Sequence, residues 1–562
     1  MRNYIGIGCS PHEPSVAIVN SKGKVVYAEG TERYLQNKRA WHAPPFDLIR
    51  IKQLLEKYIE PEAELVAATT WDSNKFGFST AEYQTVQKDT QNFIMQSVFD
   101  GIKRNLSLVP GILNLQYYSL YPQGPPVVYK NYDHHYTHAA TGCFSSPFKE
   151  AICAVIDGFG QDSSTSYYRY SDGKLNPIEN VCPSTQLSLG HFYSRMCRMC
   201  GFDSLKGEQW KVMGLAPYGG LDEELYDIIS PMIIVDDLTL RVAPDYEERF
   251  GRLRNLGYPK KHGIESKDLA FVTQLVFSEK SKTILNNLYS RGFSENLVLV
   301  GGTGLNSSWN GRILDETKYE CLHICSAPGD DGNAIGAALL AYFEDNPSFQ
   351  MDTSYSNPYL GEEIDSLAIK HISTLSGLKN SLPEGEDIGE WTAKKIAEGN
   401  IVGWVQGKAE FGPRALGNRS ILADPRRSDM KDVINARVKF REEFRPFAPA
   451  ILHEHGPDYF EQYQESRYME RTLMYHREAA SKVPAVVHIN GTGRLQTVKR
   501  EWNEKFYDLI NTFYGITGVP IVLNTSFNVM GKPIIHSVED AMAVFYTSGL
   551  DILVIGELAF EK

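Results

Sequence analysis

Two segments of the chain open in the same way, with an apolar strand, a polar or glycine-containing loop and a second strand. This pairing constrains the fold more than any other feature. The first segment runs along Tyr4–Gly8 and Ser15–Val19, turns at Ser21–Gly23 and returns along Lys24–Glu29, which leaves residues 8–15 as a loop over the strand ends. The second runs along Ala151–Ile156, breaks at Asp157-Gly158-Phe159-Gly160 and restarts at Ser164–Tyr170. No internal repeat is visible in the residues themselves.

Two further loops follow the same logic. The buried-looking strand Leu297–Val300 leads into Gly301-Gly302-Thr303-Gly304-Leu305-Asn306, with a helix-forming segment next, and Gly329-Asp330-Asp331-Gly332 runs into a helix of small residues. Glycines allow backbone amides to approach a phosphate closely, so Gly301, Gly302, Gly304 and Asn306 are candidate nucleotide contacts. Together the four features resemble the superfamily of acetate and sugar kinases, Hsp70 and actin, in which two such units and a late glycine loop enclose a nucleotide.

The helical pattern stops near Phe343–Ser348, and polar, proline-containing sequence continues to about Pro358, although Tyr359–Ile364 can still pack on the first body. A new α/β pattern starts with a helix over Asp387–Glu398 and a strand over Ile401–Gln406, and it includes a later strand Val519–Leu523 that ends in Asn524-Thr525-Ser526-Phe527-Asn528. The expectation is an α/β protein of two domains, residues 1–355 and 356–562. A chain of 562 residues is too long for one ordinary core.

A formal charge of -12 argues against a general nucleic-acid binder, which draws on an excess of lysine and arginine. Met1 leads straight into Tyr4-Ile5-Gly6-Ile7-Gly8, without the apolar run of a signal peptide or membrane helix, so a cytoplasmic location is expected. The cysteines lie among apolar neighbours, as at Cys143, Cys153 and Cys182, which suits reduced core thiols. Cys197 and Cys200 are closely spaced, but a zinc site wants a second close pair, and Cys321 with Cys325 is distant and differently spaced.

The densest local signal is Asp133-His134-His135-Tyr136-Thr137-His138. His134 and His138, four apart on a helix, project from one face and can hold one metal, with Asp157 and Asp330 as oxygen ligands; such a mixed set suits iron, zinc or manganese. The alternative is a polar helix with hydrogen-bonded histidines. His12, on the loop over the first strand ends, can take a proton from an attacking hydroxyl or serve as a surface group.

In the second half, the stretch from Gly407 to Ser420 packs glycines with Lys408, Arg414 and Arg419, and the stretch from Lys439 to Pro449 adds Arg441 and Arg445 among aromatics before Arg494 follows. Each arginine taken singly is explained by a solvated ion pair. Clustering beside glycines and aromatics in an acidic chain favours an anion pocket, because guanidinium groups grip phosphate in a bidentate way. There is no Gly-x-Ser-x-Gly elbow and no Walker A loop.

These motifs together resemble the O-carbamoyltransferase family of the NodU, CmcH and TobZ type, in the family's order over nearly the whole chain. The matches are the His134–His138 block, Ile156-Asp157-Gly158, Lys211-Val212-Met213-Gly214-Leu215-Ala216, Gly301-Gly302 through Leu305-Asn306, Gly412 through Ser420, Arg445-Pro446-Phe447-Ala448-Pro449 and Leu523 through Asn528. The resemblance implies an N-terminal domain like that of the universal tRNA threonylcarbamoyl transferase and a YrdC-like C-terminal domain. It implies an enzyme that uses ATP with Mg²⁺ to turn carbamoyl phosphate into carbamoyl-adenylate and passes the carbamoyl group to a small-molecule alcohol. By position, His134, His138, Asp157 and Asp330 match the family's metal ligands, with Fe²⁺ expected, and His12 matches its base. Arg414, Lys439, Arg445 and Arg494 fall where relatives bind carbamoyl phosphate and the ATP phosphates, Lys439 and Arg445 as catalytic groups, and Asn528 joins the nucleotide contacts.

Two positions depart from the family pattern. Met530 stands where some relatives carry arginine, which leaves a phosphate contact to be lost or supplied by Lys532, and Asn490 stands where relatives commonly have aspartate, which is expected to remove a charge from that pocket. Competing readings are a tRNA threonylcarbamoyl-type transferase, disfavoured by the acidic balance, and an actin- or Hsp70-like ATP-driven binding protein, which leaves the second cation cluster unexplained. The acceptor is expected to be a specialised-metabolite alcohol, and the 31 tyrosines and 26 phenylalanines either line its pocket or fill the core. A homodimer is the base-rate expectation for assembly.

Overall fold

The computed structural model describes all residues except 62, 73–89, 162, 182–187, 261–262, 348–356 and 376–378. Cys182 and the expected domain boundary at 355/356 lie outside the described residues.

The N-terminal body is built on two five-stranded sheets of one design. In the first, β1 (Arg2–Gly8), β2 (Ser15–Val19) and β3 (Val25–Gly30) form an antiparallel meander, and β4 (Glu64–Thr69) and β5 (Val128–Asn131) add in parallel on the other side of β1, in the order β3-β2-β1-β4-β5. In the second, β6 (Glu150–Ile156), β7 (Thr165–Ser171) and β8 (Lys174–Val181) form the meander. The hairpin β9 (Ile233–Asp236) and β10 (Thr239–Val242) intervenes, and β11 (Asn296–Val300) and β12 (Cys321–His323) then add in parallel, giving the order β8-β7-β6-β11-β12. The two similar strand-loop-strand openings thus begin two sheets of one topology, although no residue-level repeat is visible. Strand pairing needs only apolar runs and turns, so two copies can share one plan with little sequence in common.

Two helices, His134–Phe144 and Asn333–Asp345, lie in the apolar core shared by the sheets, with Ala139, Cys143, Ala337 and Leu340 packed against Tyr4, Val66, Val155 and Val298. Glycine makes this closeness possible. A Cβ on Gly6 would lie 1.8 Å from the Ala334 carbonyl oxygen, and one on Gly336 2.0 Å from that of Thr137. After β11 the expected helix is short: a 3₁₀ turn at Gly302–Leu305 and a single α turn at Ser307–Asn310.

The C-terminal body carries an eight-stranded mixed sheet. Its strands are β13 (Val402–Val405), β14 (Arg419–Ala423), β15 (Ala448–Leu452), β16 (Arg471–Met474), β17 (Thr492–Val498), β18 (Ile521–Ser526), β19 (Ile552–Ile555) and β20 (Leu558–Glu561). They run in the order β16-β17-β15-β18-β14-β13-β19-β20. The strand expected to stop at Leu523 continues through Asn524, Thr525 and Ser526, because these residues pair with Leu422, Ile421 and Ser420 of β14. The helix expected over Asp387–Glu398 is Ile388–Ala397, begun by the Asp387 side chain accepting from the amides of Gly389 and Glu390.

The connecting segment pairs with both bodies. Ala28 N–H donates to the Leu360 carbonyl at 3.0 Å, and Gly361 N–H donates to that of Ala409 at 2.9 Å. Cys197 and Cys200 are buried in an apolar core with Phe192 and Val212, and burial pushes both thiols up, as suits core residues. Among the described residues, no helix is long and apolar enough to cross a membrane.

Candidate active site

His134 opens its helix, where the Asp133 side chain accepts from the Tyr136 amide, and His138 follows one turn later on the same face. Asp157 ends β6, and Asp330 begins the turn that leads into the Asn333–Asp345 helix. The fold brings the four together: one donor atom from each lies within 4.8 Å of the others, and all four residues are buried. Asp330 Oδ1 is 3.5 Å from Nε2 of both His134 and His138, and Asp157 Oδ2 is 3.8 Å from His134 Nε2.

The donor set fits a divalent cation. Both Nε2 atoms are buried without a hydrogen-bond partner, and two carboxylates face them in a space that would otherwise be costly for uncompensated charge. Burial works against charge on His134, yet Asp330 and Asp157 lift its pKa to about 10. Burial likewise opposes ionisation of Asp157 and Asp330, but the histidines beside them hold both well below the usual carboxylate range.

Neighbouring groups hold these side chains in place. Gly302 N–H donates to Asp157 Oδ1 at 2.7 Å, and Trp71, just beyond β4, stacks on His134 with ring centroids 4.1 Å apart. Trp71 Nε1 donates to Ser10 Oγ at 3.1 Å, on the loop that carries His12. His12 Nδ1 lies 3.9 Å from Asp330 Oδ2 and 3.9 Å from Glu13 Oε2, so this loop delivers the imidazole to the edge of the histidine–aspartate cluster.

The glycine loop acts differently from the simple expectation. The amides of Gly301, Gly304 and Asn306 donate to carbonyls of Pro328, Gly301 and Thr303, and that of Gly302 is taken by Asp157. Gly301 is needed for its φ of +90° and because a Cβ there would lie 2.4 Å from the Ile156 carbonyl oxygen. The Asn306 side chain is engaged by Gln274 and the Trp309 amide. Gly302 and Asn306 line the adjoining cavity, whereas Gly301 and Gly304 are not part of its lining.

Across the cavity stand the cations of the C-terminal body. Glu410 Oε1 accepts from the amides of Leu416, Asn418 and Arg419, and the buried Arg419 guanidinium donates to carbonyls of Gln406, Gly407, Asn418 and Glu362. Arg419 thus braces the loop that presents Arg414. Lys439 is buried, and its Nζ donates to Asn528 Oδ1 at 2.8 Å, to the Asn528 carbonyl at 3.1 Å and to the Ser526 carbonyl. Burial, with Arg441 and Arg445 nearby, holds its pKa well below that of an ordinary lysine. Burial depresses Arg414 to about 10, and burial followed by Arg445 depresses Arg441 to about 9. Arg414, Arg441, Arg445 and Arg494 line one cavity, and burial, followed by the charges of the other three, holds Arg494 well below an ordinary arginine. Among the described residues, neither Arg414 nor Arg494 has a carboxylate within ion-pair distance. Arg414 and Arg494, set among other cations with no carboxylate at ion-pair distance, have the chemistry to take an anion.

One cavity of about 1240 Å³ connects the two groups, lined by His12, Asp157 and Asp330 from one body and by Arg414, Lys439, Arg441, Arg445, Arg494 and Asn528 from the other. Met530 is exposed at its rim, and Lys532 also lines it. Asn490 lies in an exposed turn, where its side chain accepts from Thr492 Oγ1, and is not among the lining residues. The expectation that it alters the charge of this pocket is therefore corrected. Neither Trp71 nor Trp210 is among the expected site residues, and Arg441 is there only as one cation of its block; a signal exists for Trp71, which follows the carboxyl end of a parallel strand.

Residues 3–339 match the family described as carbamoyltransferase N-terminus, and residues 393–562 match carbamoyltransferase C-terminus. The chain belongs to the carbamoyltransferase family. This carbamoyltransferase is 34% identical over 485 residues to an uncharacterized protein of Synechocystis sp., covering 78% of this chain and 77% of that one. It is 34% identical over 447 residues to nodulation protein NolO of Bradyrhizobium diazoefficiens, covering 76% and 79% respectively. Nodulation protein U of Sinorhizobium fredii is 26% identical over 549 residues, or 93% of both chains.

Proposed function

We propose that this carbamoyltransferase is ATP-dependent and works in two half-reactions, the first on the C-terminal body (356–562) and the second on the N-terminal body (1–355). The observation that carries the reading is the single cavity shared by the cation cluster and the His12–Asp330 edge.

In the first half-reaction, Arg414, Lys439, Arg445 and Arg494 hold carbamoyl phosphate and the phosphates of Mg²⁺-bound ATP. Water replaces the phosphate of carbamoyl phosphate to leave carbamate and inorganic phosphate. A carbamate oxygen then attacks the α-phosphorus of ATP and expels pyrophosphate, forming carbamoyl-adenylate. The cations offset charge that builds on the transferring phosphoryl group and on the leaving group. Asn528 orients Lys439 through its 2.8 Å contact.

In the second half-reaction, the hydroxyl oxygen of the acceptor attacks the carbonyl carbon of the adenylate, the bond to AMP breaks, and His12 accepts the hydroxyl proton. His134, His138, Asp157 and Asp330 would hold a divalent metal, iron by family resemblance, which supplies positive charge against the departing phosphate. Trp71 and Gly302 keep His134 and Asp157 in place. Transfer inside the cavity keeps the labile adenylate from bulk water and suits a small alcohol, such as a specialised metabolite, over a macromolecule.

Pyrophosphate release from ATP, measured with and without carbamoyl phosphate and without acceptor, tests the reading. Release that depends on carbamoyl phosphate is expected. Its absence from folded protein supplied with Mg²⁺ and Fe²⁺ would count against adenylate formation before acceptor binding.

A further inference from the structure

Arg445 belongs to the C-terminal body, but its guanidinium is held from the other side. The Arg445 carbon Cζ lies 3.9 Å from the ring centroid of Trp210, in the helix Gln209–Leu215 of the N-terminal body. Glu442 Oε2 stands 3.4 Å from one guanidinium nitrogen. The next residue on the helix reinforces the contact, since Lys211 Nζ lies 2.7 Å from Glu442 Oε1 and 2.8 Å from Glu208 Oε1. Tyr218, just beyond this helix, donates to the Phe444 carbonyl at 3.4 Å. Trp210, Lys211 and Arg445 all line the shared cavity.

A guanidinium held over an indole face loses rotational freedom, and its N–H donors not taken by a neighbouring carboxylate can still reach a phosphate oxygen. A loop arginine with no such platform would have to be ordered by the ligand. We infer that Trp210 is a positioning residue for Arg445, so that the N-terminal body completes the anion site of the C-terminal body. This rests on the assignment of Arg445 to the phosphate-binding half-reaction. The helix that carries Trp210 also packs on the N-terminal core through Val212 and Leu215, which ties the anion site to the body that receives the carbamoyl group.

The test uses full-length protein with Trp210→Phe, which keeps an aromatic face, and with Trp210→Leu and Trp210→Ala, which do not. In acceptor-free pyrophosphate release at saturating ATP, Leu and Ala are expected to raise the carbamoyl phosphate concentration for half-maximal rate about three- to thirtyfold. Phe should stay within about threefold of wild type, with melting temperatures unchanged. Wild-type behaviour of the Leu and Ala variants, or losses in Phe equal to those in Leu, would overturn the inference. Calorimetric binding of inorganic phosphate separates it from the two-half-reaction reading. If wild type releases no pyrophosphate, that reading falls. The positioning role then survives only if Arg445→Ala and Trp210→Leu both weaken phosphate binding, and wild-type binding by either variant removes it.

Discussion

His536 Nδ1 lies 2.9 Å from Glu29 Oε1, an ion pair that joins the C-terminal body to strand β3 at the wall of the shared cavity. Burial opposes charge on His536, but Glu29 outweighs it and raises the pKa above that of a free histidine, while His536 and Arg50 hold Glu29 far below the usual carboxylate range. Tyr27, Arg50 and Glu362 complete the buried network, and Asp540 accepts from the His536 amide. A raised histidine pKa adds stability that is present in full below about pH 6.5 and is lost as pH rises through the folded value. The depressed Glu29 adds stability that is present above the unfolded carboxylate pKa of about 4.3 and is lost progressively as pH falls from there toward the folded value. His536→Gln should therefore lower the melting temperature by about 2–4 °C near pH 6, with the difference from wild type shrinking toward pH 9. A difference constant from pH 6 to 9 would contradict a charged pair.

The histidine–aspartate cluster predicts a division of phenotypes. His138→Ala and Asp330→Asn should lose bound metal, read as metal content after reconstitution with Fe²⁺, and should block carbamoyl transfer while pyrophosphate release continues. His12→Ala should keep the metal and still lose transfer, because a base contributes about 10²–10⁴-fold without holding the ion. Equal loss of both half-reactions in every folded variant would remove the separation between the sites.

Much of this was legible before the structure. His134 and His138 are a helical turn apart, and helical spacing alone puts them on one face. Asp157 after a strand and Asp330 in the late loop are candidate oxygen ligands by residue type and by family resemblance, but nothing local in the sequence brings them to the two histidines. The division of duties within the glycine loop was not legible: whether an amide faces a ligand or is taken by a neighbour, as Gly302 is by Asp157, depends on a residue far away in sequence. The same holds for Trp210 and Arg445, whose contact crosses the two bodies. Asn490, which the family pattern assigns to the pocket, falls on an exposed turn that is not part of the cavity Arg494 lines, a placement that depends on contacts distant in sequence.

Lys439 is predicted to be needed for the first half-reaction beyond its packing. Its amine is surrounded by the Ser526 and Asn528 acceptors, so Lys439→Met leaves those groups without their donor as well as removing a cation. Pyrophosphate release should fall by about 10²–10³-fold. Arg494→Lys, which keeps a point charge but loses the guanidinium fork, should show a smaller loss, expressed mainly as weaker half-saturation by carbamoyl phosphate. Equal effects of the two substitutions would argue that only net charge matters in this cluster.

The last prediction concerns how the fold holds the site. A Cβ at Gly6 would sit 1.8 Å from the Ala334 carbonyl oxygen and 3.0 Å from the Ala338 amide, both backbone atoms of the helix that follows Asp330. That helix cannot rotate a side chain out of the way, so it or β1 must shift. Gly6→Ala should cost about 1–3 kcal/mol or more as overpacking. Displacement of the helix start moves Asp330 relative to His134 and His138, so metal affinity should fall together with stability. Gly251→Ala is the control: it lies in the helix Tyr246–Asn255 with nothing within 4 Å of the added carbon, and it should stabilise by about 0.5–1 kcal/mol without affecting metal binding. Gly6→Ala protein with wild-type melting and wild-type metal affinity would show that the helix and strand can make room for a carbon placed 1.8 Å from the Ala334 carbonyl oxygen.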